Sequence, residues 1–156
     1  MIKVLFICHG NICRSPMAEF VLKDMVKKLG IEDNFYIESA ATSTEEIWNG
    51  VGNPVYPPAK EKMAENGIDC SGKQARQTTK ADYNRFDHIL VMDRNNMRNI
   101  KKIYGADPEN KVRRLMDYTD RPGDVADQWY TGDFQATWDD VNDGCRGLLK
   151  AFGVEL

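Results

Sequence analysis

The strongest constraint on the fold of this chain is a short apolar run that leads directly into a polar loop. The run is VLFI at residues 4–7, and the loop reads CHGNICRS over residues 8–15. Such a run, rich in β-branched and aromatic residues and without polar alternation, is typical of a strand covered on both faces. Pro16 follows the loop and suits the first turn of a helix, because that turn does not use its N–H. The sequence therefore predicts a strand, a tight loop and a helix in that order.

Strands and helices alternate through the rest of the chain. Further strands are predicted over 35–40, 88–92 and 112–115. Helices are predicted over 16–29, 57–66, 94–103 and 133–152, with residues 44–56 as a loop. This alternation predicts an α/β fold. We expect a single doubly wound domain over residues 1–156, with a four-stranded parallel sheet in the order 2-1-3-4 and helices on both faces.

The loop at 8–15 has the composition of a phosphate cradle. A loop over a helix N-terminus points several backbone N–H groups inward, and the helix dipole adds partial positive charge there. Gly10 and Asn11 tolerate the positive φ angles that a curled loop needs. Arg14 can bind two phosphate oxygens with its planar guanidinium. Cys8 would lie beneath the phosphorus as a thiolate, to which Ser15 can donate a hydrogen bond, and would form a covalent phosphocysteine.

The alternative is that Cys8 is a buried structural thiol and Arg14 an ordinary surface charge, since buried free cysteines are common. The full C-x5-R-S set follows a predicted strand and precedes a predicted helix. Because a motif gains weight from its structural context, this placement favours the phosphate-binding interpretation.

The stretch VLFICHGNICRSPMAE resembles the signature of the low-molecular-weight protein tyrosine phosphatases, which are hydrolases. The similarity continues through ESAATS at 38–43, ARQ at 75–77, FDHILVMDRNN at 86–96 and VADQWYTGDF at 125–134. The resemblance implies hydrolysis of phosphotyrosine, with Cys8 as nucleophile and Arg14 as the group that binds the phosphoryl in the transition state. It also implies that Asp127 is the general acid, and then the base that activates water.

The resemblance assigns further residues to the site. A serine matching Ser39 is expected to hold Asn11 in the phosphate loop. Trp48 either anchors a small satellite core or, as the family's aromatic residue in this loop implies, forms one wall of the pocket. Trp129 and Tyr130 would form another wall, stacking on a phosphotyrosine ring and making the pocket too deep for phosphoserine.

Some loop positions leave alternatives open. Cys13 either fits as a small residue behind the loop or, as the family implies, captures an oxidised Cys8 in a disulfide. His9 either lines the pocket rim or points to solvent. The chain departs from the family where Lys73 lies near a usual histidine of the loop-supporting network, and where Gln128 replaces a usual proline.

The composition of the chain argues against several other classes of function. The net charge of −3 and the lack of a basic run argue against nucleic-acid binding. The apolar run at the start is too short for a signal peptide or a membrane span, so a cytoplasmic protein is expected. Four cysteines at these spacings suit neither a disulfide framework nor a zinc site. We expect no metal or cofactor; the partners would be a phosphotyrosine protein or a small aryl phosphate, with inorganic phosphate as product.

Three other functions compete with this interpretation. The related phosphoarginine phosphatases carry threonine where this chain has Ile12, so the apolar side chain favours phosphotyrosine. An arsenate reductase would need two further neighbouring cysteines, and Cys70 has no close companion in the sequence. A non-catalytic oxyanion-binding module would lack the nucleophile or the acid, and candidates for both are present. Asp93 is predicted to cap the helix at 94–103; the alternative, which the resemblance implies, is an acidic residue near the site.

Overall fold

The structure, a computed structural model, describes residues 1–128 and 132–156. The strands are β1 Ile2–Cys8, β2 Phe35–Ala41, β3 Ile47–Trp48, β4 Val51–Gly52, β5 His88–Val91 and β6 Val112–Arg114. The helices are α1 Arg14–Lys28, α2 Pro57–Glu65, α3 Asp82–Arg85, α4 Arg94–Tyr104 and α5 Phe134–Ala151. Short 3-10 turns cover Glu32–Asn34 and Leu115–Tyr118.

The predicted parallel sheet is confirmed. Four strands pair in parallel in the order β2-β1-β5-β6, which is the predicted 2-1-3-4 once β3 and β4 are counted. Those two short strands pair with each other in a separate antiparallel ladder. They lie within the stretch 44–56, where the sequence predicts only a loop because a two-residue strand leaves no periodic pattern. The short helix α3 is likewise absent from the sequence prediction.

The central strand β1 buries side chains on both faces of the sheet. Val4 and Phe6 belong to a core formed with α1, α2 and α5. Leu5 and Ile7 belong to a second core formed with α3 and α4. Because burying one such side chain contributes roughly 1.5–3 kcal/mol, these four residues fix the strand in place. The helices therefore lie on both faces of the sheet, and the apolar run is covered on both sides as predicted.

The first helix begins earlier than predicted. It starts at Arg14, and Pro16 is its third residue, where the missing N–H still has no partner within the helix. Gly30 follows the helix with a φ angle of 71°, the left-handed conformation in which a glycine commonly ends a helix. Because of the earlier start, Arg14 and Ser15 belong to the first turn of α1 and are held by the helix, not by a loose loop. Most other predicted boundaries differ from the structure by one or two residues.

The carboxyl ends of three strands meet at one edge of the sheet. Cys8 at the end of β1 pairs with Ala41 of β2, and Ile7 pairs with Val91 of β5. The segments that follow these strands therefore converge there, as ligand-binding segments do in open α/β sheets. In the described parts of the chain, we find no helix with the length and apolarity that crossing a bilayer requires.

Candidate active site

The phosphate loop connects the end of β1 to the start of α1. Backbone bonds fix it to its neighbours: Thr42 donates its N–H to the carbonyl of Cys8 at 3.0 Å, and Tyr56 donates to that of Ile12 at 2.8 Å. Asn11 takes the left-handed conformation with φ 59°, while Gly10 is not among the positive-φ residues. A Cβ on Gly10 would lie 3.1 Å from Cγ of Glu46. The loop thus curls at Asn11, and Gly10 permits the close approach of a neighbouring segment.

Cys8 is buried at the base of this loop, with 4% of its surface exposed. Its Sγ lies 3.0 Å from Oγ of Ser15 and accepts a hydrogen bond from the backbone N–H of Asn11 at 3.3 Å. Donors aimed at a sulfur stabilise the charged form of that sulfur. The Cys8 sulfur therefore has two hydrogen-bonding groups directed at it.

A chain of hydrogen bonds determines which way the Ser15 hydroxyl points. The Asn11 amide donates to Oγ of Ser15 at 2.8 Å and to Oγ of Ser39 at 3.0 Å. Its carbonyl oxygen accepts the backbone N–H of Arg76 at 3.2 Å, which fixes the orientation of the amide. Since Ser15 accepts from Asn11, its own proton is free to be donated to Cys8. The expected role of Ser39, holding Asn11, matches this geometry.

Two buried charges anchor the far end of that chain. Ser39 donates its hydroxyl to Oε1 of Glu19 at 2.5 Å. Nζ of Lys73 lies 2.9 Å from the Ser39 carbonyl oxygen and 3.4 Å from the Glu19 carboxylate. Burial lowers the pKa of Lys73, while the charge of Glu19 opposes that shift. Lys73, noted in the sequence analysis as a departure from the family, thus contacts the network that supports the loop.

Arg14 lies at the mouth of the loop, buried apart from 5% of its surface. Its Nη1 is 2.8 Å from Oδ2 of Asp93 and 3.4 Å from the carbonyl oxygen of Val125, and its Nη2 is 3.5 Å from Oδ2 of Asp127. Burial acts to lower the pKa of Arg14, but the negative groups Cys8, Asp93 and Asp127 outweigh it and raise the pKa. The guanidinium is therefore a permanent cation in a fixed place.

Asp93 has two roles, of which the sequence analysis predicted one. Its Oδ1 accepts the backbone N–H of Asn96 at 2.7 Å, and its own backbone N–H donates to Oδ1 of Asn96 at 3.2 Å. These two hydrogen bonds complete the capping box of α4. Its Oδ2 holds Arg14. The signal for the second role was the placement of an acidic residue directly after a buried strand, at the edge where the strand ends meet.

The segment carrying Asp127 is tied to both the sheet and α5. Val125 donates its N–H to the Met92 carbonyl at 2.8 Å. Ala126 donates its N–H to Asp140 at 2.9 Å, and its carbonyl accepts the Thr137 hydroxyl at 2.7 Å. These bonds bring Asp127 to the same cavity as Cys8 and Arg14. The predicted catalytic set is thus gathered in one place.

The cavity has a volume of about 600 Å³. Of the predicted residues, its lining includes Cys8, His9, Gly10, Ile12, Cys13, Arg14 and Asp127. Residues that the sequence analysis did not place there are Glu45, Glu46, Asp93, Asn95, Asn96, Asn99 and Gln128. Asn11, Ser15 and Ser39 are buried behind the loop and support it. Within the described ranges 1–128 and 132–156, we find no cluster of three or more potential metal ligands.

A sequence profile of the family described as low molecular weight phosphotyrosine protein phosphatase matches residues 3–155. The chain belongs to this family. It is 36% identical over 157 residues to the low molecular weight protein-tyrosine-phosphatase YfkJ of Bacillus subtilis, covering 99% of this chain and 98% of that protein. It is 37% identical over 152 residues to the human low molecular weight phosphotyrosine protein phosphatase, covering 94% and 93%. The resemblance stated from the motifs is confirmed, and the chain is a protein-tyrosine phosphatase by family.

Solved structures agree with this assignment. The crystal structure of YfkJ superposes with a TM-score of 0.91 at 35% identity, covering 98% of this chain and 95% of that one. The phosphatase SP-PTP of Streptococcus pyogenes gives 0.83 at 38% identity, covering 97% and 93%. A Drosophila arginine phosphatase gives 0.86 at 25% identity, covering 99% and 100%. The family scaffold thus includes a protein named for a different phosphorylated residue.

The predicted aromatic walls remain predictions. The Trp48 side chain is 78% exposed on the β3–β4 hairpin and is not among the residues that line the cavity. Trp129 and Tyr130 lie outside the described residues. His9 is at the rim, half-exposed, with Nε2 2.9 Å from Oε2 of Glu45. The rim therefore combines a histidine with glutamates that the sequence pattern did not single out.

Two buried side chains in the cavity wall have distinct chemistry. Burial, followed by the charge of Cys8, raises the pKa of Cys13 far above its usual range, so Cys13 is a neutral thiol next to Cys8. The side-chain amide of Gln128 is buried, and neither its oxygen nor its nitrogen has a hydrogen-bond partner in the described structure. Such an unpaired amide is costly in a folded protein.

Proposed function

We propose that this chain hydrolyses phosphotyrosine through a phosphocysteine intermediate on Cys8. The observation that carries the proposal is the pair of donors on the Cys8 sulfur, from Ser15 and from the Asn11 N–H, in a cavity that Arg14 and Asp127 also line. A nucleophile, a phosphoryl-binding cation and a proton donor are the three parts that such a reaction needs.

In the first step, the Cys8 thiolate attacks phosphorus and the bond to the phenolic oxygen breaks. Asp127, as the acid, gives its proton to that oxygen, so tyrosine leaves as a neutral phenol. Arg14 binds the phosphoryl oxygens and stabilises their charge in the transition state. Because Asp93 holds Nη1 at 2.8 Å, the guanidinium is already oriented before the substrate arrives.

In the second step, water attacks phosphorus and the sulfur–phosphorus bond breaks. Asp127, now a carboxylate, accepts a proton from the water and is restored as the acid. Cys8 leaves as a thiolate, stabilised by the Ser15 hydroxyl at 3.0 Å, and inorganic phosphate is released. No metal or cofactor takes part in either step of this proposal.

The proposed substrate class is an aryl phosphate, either a phosphotyrosine protein or a small ester. Ile12 lines the cavity and brings an apolar side chain, without a hydroxyl, to the position where phosphoarginine phosphatases are expected to have threonine. An apolar side chain suits an aromatic ring better than a charged guanidinium. Phosphotyrosine is therefore preferred over phosphoarginine.

The test compares phosphotyrosine, phosphoserine and phosphoarginine turnover in the wild type and in Cys8→Ser. We expect preferred turnover of phosphotyrosine, trapped phosphocysteine on rapid acid quench, and no turnover by Cys8→Ser, which still binds phosphate. Cys145→Ser, which removes a thiol that bonds the Ala18 carbonyl in the core, is the matched control. Turnover by Cys8→Ser, or preferred hydrolysis of phosphoarginine, would contradict the proposal.

The role of Asp127 has its own test. A positioned general acid contributes about 10²–10⁴-fold, so Asp127→Asn should slow the hydrolysis of phenyl phosphate by that factor. It should slow 4-nitrophenyl phosphate less, because that leaving group needs less protonation. The control is Asp120→Asn, an exposed carboxylate earlier in the same stretch. Equal losses for the two esters would show that Asp127 acts in some other way.

A further inference from the structure

The outer face of α4 carries an unusual concentration of positive charge. The helix reads RNNMRNIKKIY, with four basic residues and no acidic residue. Arg94, Arg98 and Lys101 are spaced at i, i+4 and i+7, so they lie along one face, and all three are exposed. This is a local departure from a chain whose net charge is −3.

The requirements of the helix do not explain this pattern. Arg94 lies in the first turn, where the positive end of the helix dipole favours acidic residues. Arg94 with Arg98, and Arg98 with Lys101, are like-charge neighbours that weaken a helix. Only Lys101 and Lys102, in the last turn, have the sign that the dipole favours. The presence of Arg94 and Arg98 therefore requires an explanation other than the stability of the helix.

The basic side chains surround a groove of about 400 Å³. It is lined by Arg94, Met97, Arg98, Lys101 and, from β6, Arg114. We call this the α4 groove. It offers cationic side chains around the apolar floor of Met97, a combination that suits a peptide with carboxylates.

Acidic neighbours reduce the charge of the α4 groove only in part. Arg114 is paired with Asp117 at 3.2 Å and with Asp124 at 3.4 Å. Asp124 also accepts the backbone N–H of Arg94, and Lys101 is within electrostatic range of Asp107. Among residues 1–128 and 132–156, no carboxylate lies within 4.0 Å of the side-chain nitrogens of Arg94, Arg98 or Lys101.

The α4 groove and the catalytic cavity are lined by different residues of the same helix, which meet where Arg98 contacts Asn95. Asn95, Asn96 and Asn99 of the same helix line the cavity, and Arg98 donates to Oδ1 of Asn95 at 2.5 Å. Lys101 lies seven positions after Arg94, which is a distance of about 10 Å along the helix axis. An extended peptide covers that length with roughly three residues. A chain leaving the cavity on this side would therefore meet the basic residues within a few positions.

We propose that the α4 groove binds an acidic segment next to the phosphotyrosine of a protein substrate. The inference rests on the proposed function, since the phosphotyrosine must occupy the cavity. Carboxylates of the substrate pair with Arg94, Arg98 and Lys101, while Glu45 and Glu46 on the other rim repel the same segment. The two charged sides of the cavity mouth then determine which way the peptide runs.

The experiment compares two phosphotyrosine peptides of equal length, one with aspartate and glutamate at the three flanking positions and one with asparagine and glutamine. The readout is the ratio of their kcat/KM values, so the neutral peptide serves as an internal reference. Each exposed charge pair changes a kcat/KM value by about 1.5- to 5-fold. We expect a wild-type ratio of about 5, falling to one or below in Arg94→Glu/Lys101→Glu and toward one at high salt.

The neutral double variant Arg94→Gln/Lys101→Gln should give an intermediate ratio, and it keeps the test open if charge reversal harms folding. The matched control is Lys60→Glu/Lys150→Glu, with the same change of charge on exposed residues of α2 and α5. A wild-type ratio of one, or an equal fall in the control, would overturn the inference. If neither peptide is hydrolysed by the wild type, it is the proposed function that fails. Binding to phosphatidylserine vesicles that is lost in the reversed variant, with an unchanged peptide ratio, would assign the groove to a membrane surface instead.

Discussion

The hydroxyl of Ser15 is expected to matter more for the second chemical step than for the first. It is fully buried, it accepts from the Asn11 amide at 2.8 Å, and it donates to the Cys8 sulfur at 3.0 Å. Ser15→Ala removes this donor and leaves one N–H of Asn11 without its partner. A thiolate that has lost a hydrogen bond is a better nucleophile but a poorer leaving group.

The size of the effect follows from the type of hydrogen bond. A hydrogen bond to a charged group contributes about 1.5–3 kcal/mol. Since 1.4 kcal/mol corresponds to a factor of ten, breakdown of the phosphocysteine should slow by roughly 10- to 150-fold. Formation of the intermediate should change far less, because the loss of transition-state stabilisation is offset by the more reactive sulfur.

Rapid-quench kinetics with 4-nitrophenyl phosphate separate the two steps. In Ser15→Ala, we expect a fast burst of one equivalent of nitrophenol, a slow steady state and accumulated phosphocysteine. The control is Ser71→Ala, which removes an exposed hydroxyl that bonds Asp69. If the steady-state rate of Ser15→Ala falls because the burst itself is slow, or if breakdown changes by less than two-fold, the orientation deduced for the Ser15 hydroxyl is wrong.

Four more predictions concern the cavity wall. Asp93→Asn should lower the free energy of unfolding in urea by about 1 kcal/mol, because an amide is a weaker partner for Arg14 than a carboxylate. The kcat of this variant should fall as well. Because burial raises the pKa of Cys13, iodoacetamide at pH 8 should label Cys8 and spare Cys13; labelling of both thiols at similar rates would contradict this. After mild peroxide, sulfenic acid on Cys8 should condense with the Cys13 thiol to a disulfide and water, whereas peptide mapping that finds only over-oxidised Cys8 would refute it. Gln128→Met should raise the free energy of unfolding by about 1 kcal/mol, since it removes an unpaired buried amide; a destabilised variant in urea melts would contradict this.

Much of the fold was predictable from local patterns. The apolar run at 4–7 has no polar alternation, and the structure covers it on both faces. The first and last helices were predictable because their apolar residues recur at helical spacing, and the first one is followed by Gly30, a residue type that often ends a helix. Short elements were missed for the converse reason: β3 has two residues, Ile47 and Trp48, and α3 has four. A periodic pattern of apolar residues cannot be recognised over so few positions.

The site was predictable where its residues are close in sequence, and less so elsewhere. Cys8, Arg14 and Ser15 stand in one motif whose spacing already implies their chemistry. Lys73 stood out only as a departure from the family, and no local pattern indicates that it lies beside Glu19. Their contact at 3.4 Å joins helix α1 to a segment 54 residues later, a pairing that only the packing of the two segments produces.

The amino-acid sequence by itself determined the strand, the curled loop and the helix that carry Cys8 and Arg14, because backbone preferences and side-chain spacing act over a few residues. Only the tertiary structure decided that Asp93 holds Arg14 while also capping α4, and that Asn95 and Asn99 of α4 line the cavity that contains Cys8. Contacts of this kind join residues far apart in the chain. They depend on which strands become neighbours in the sheet, and no local pattern encodes that order.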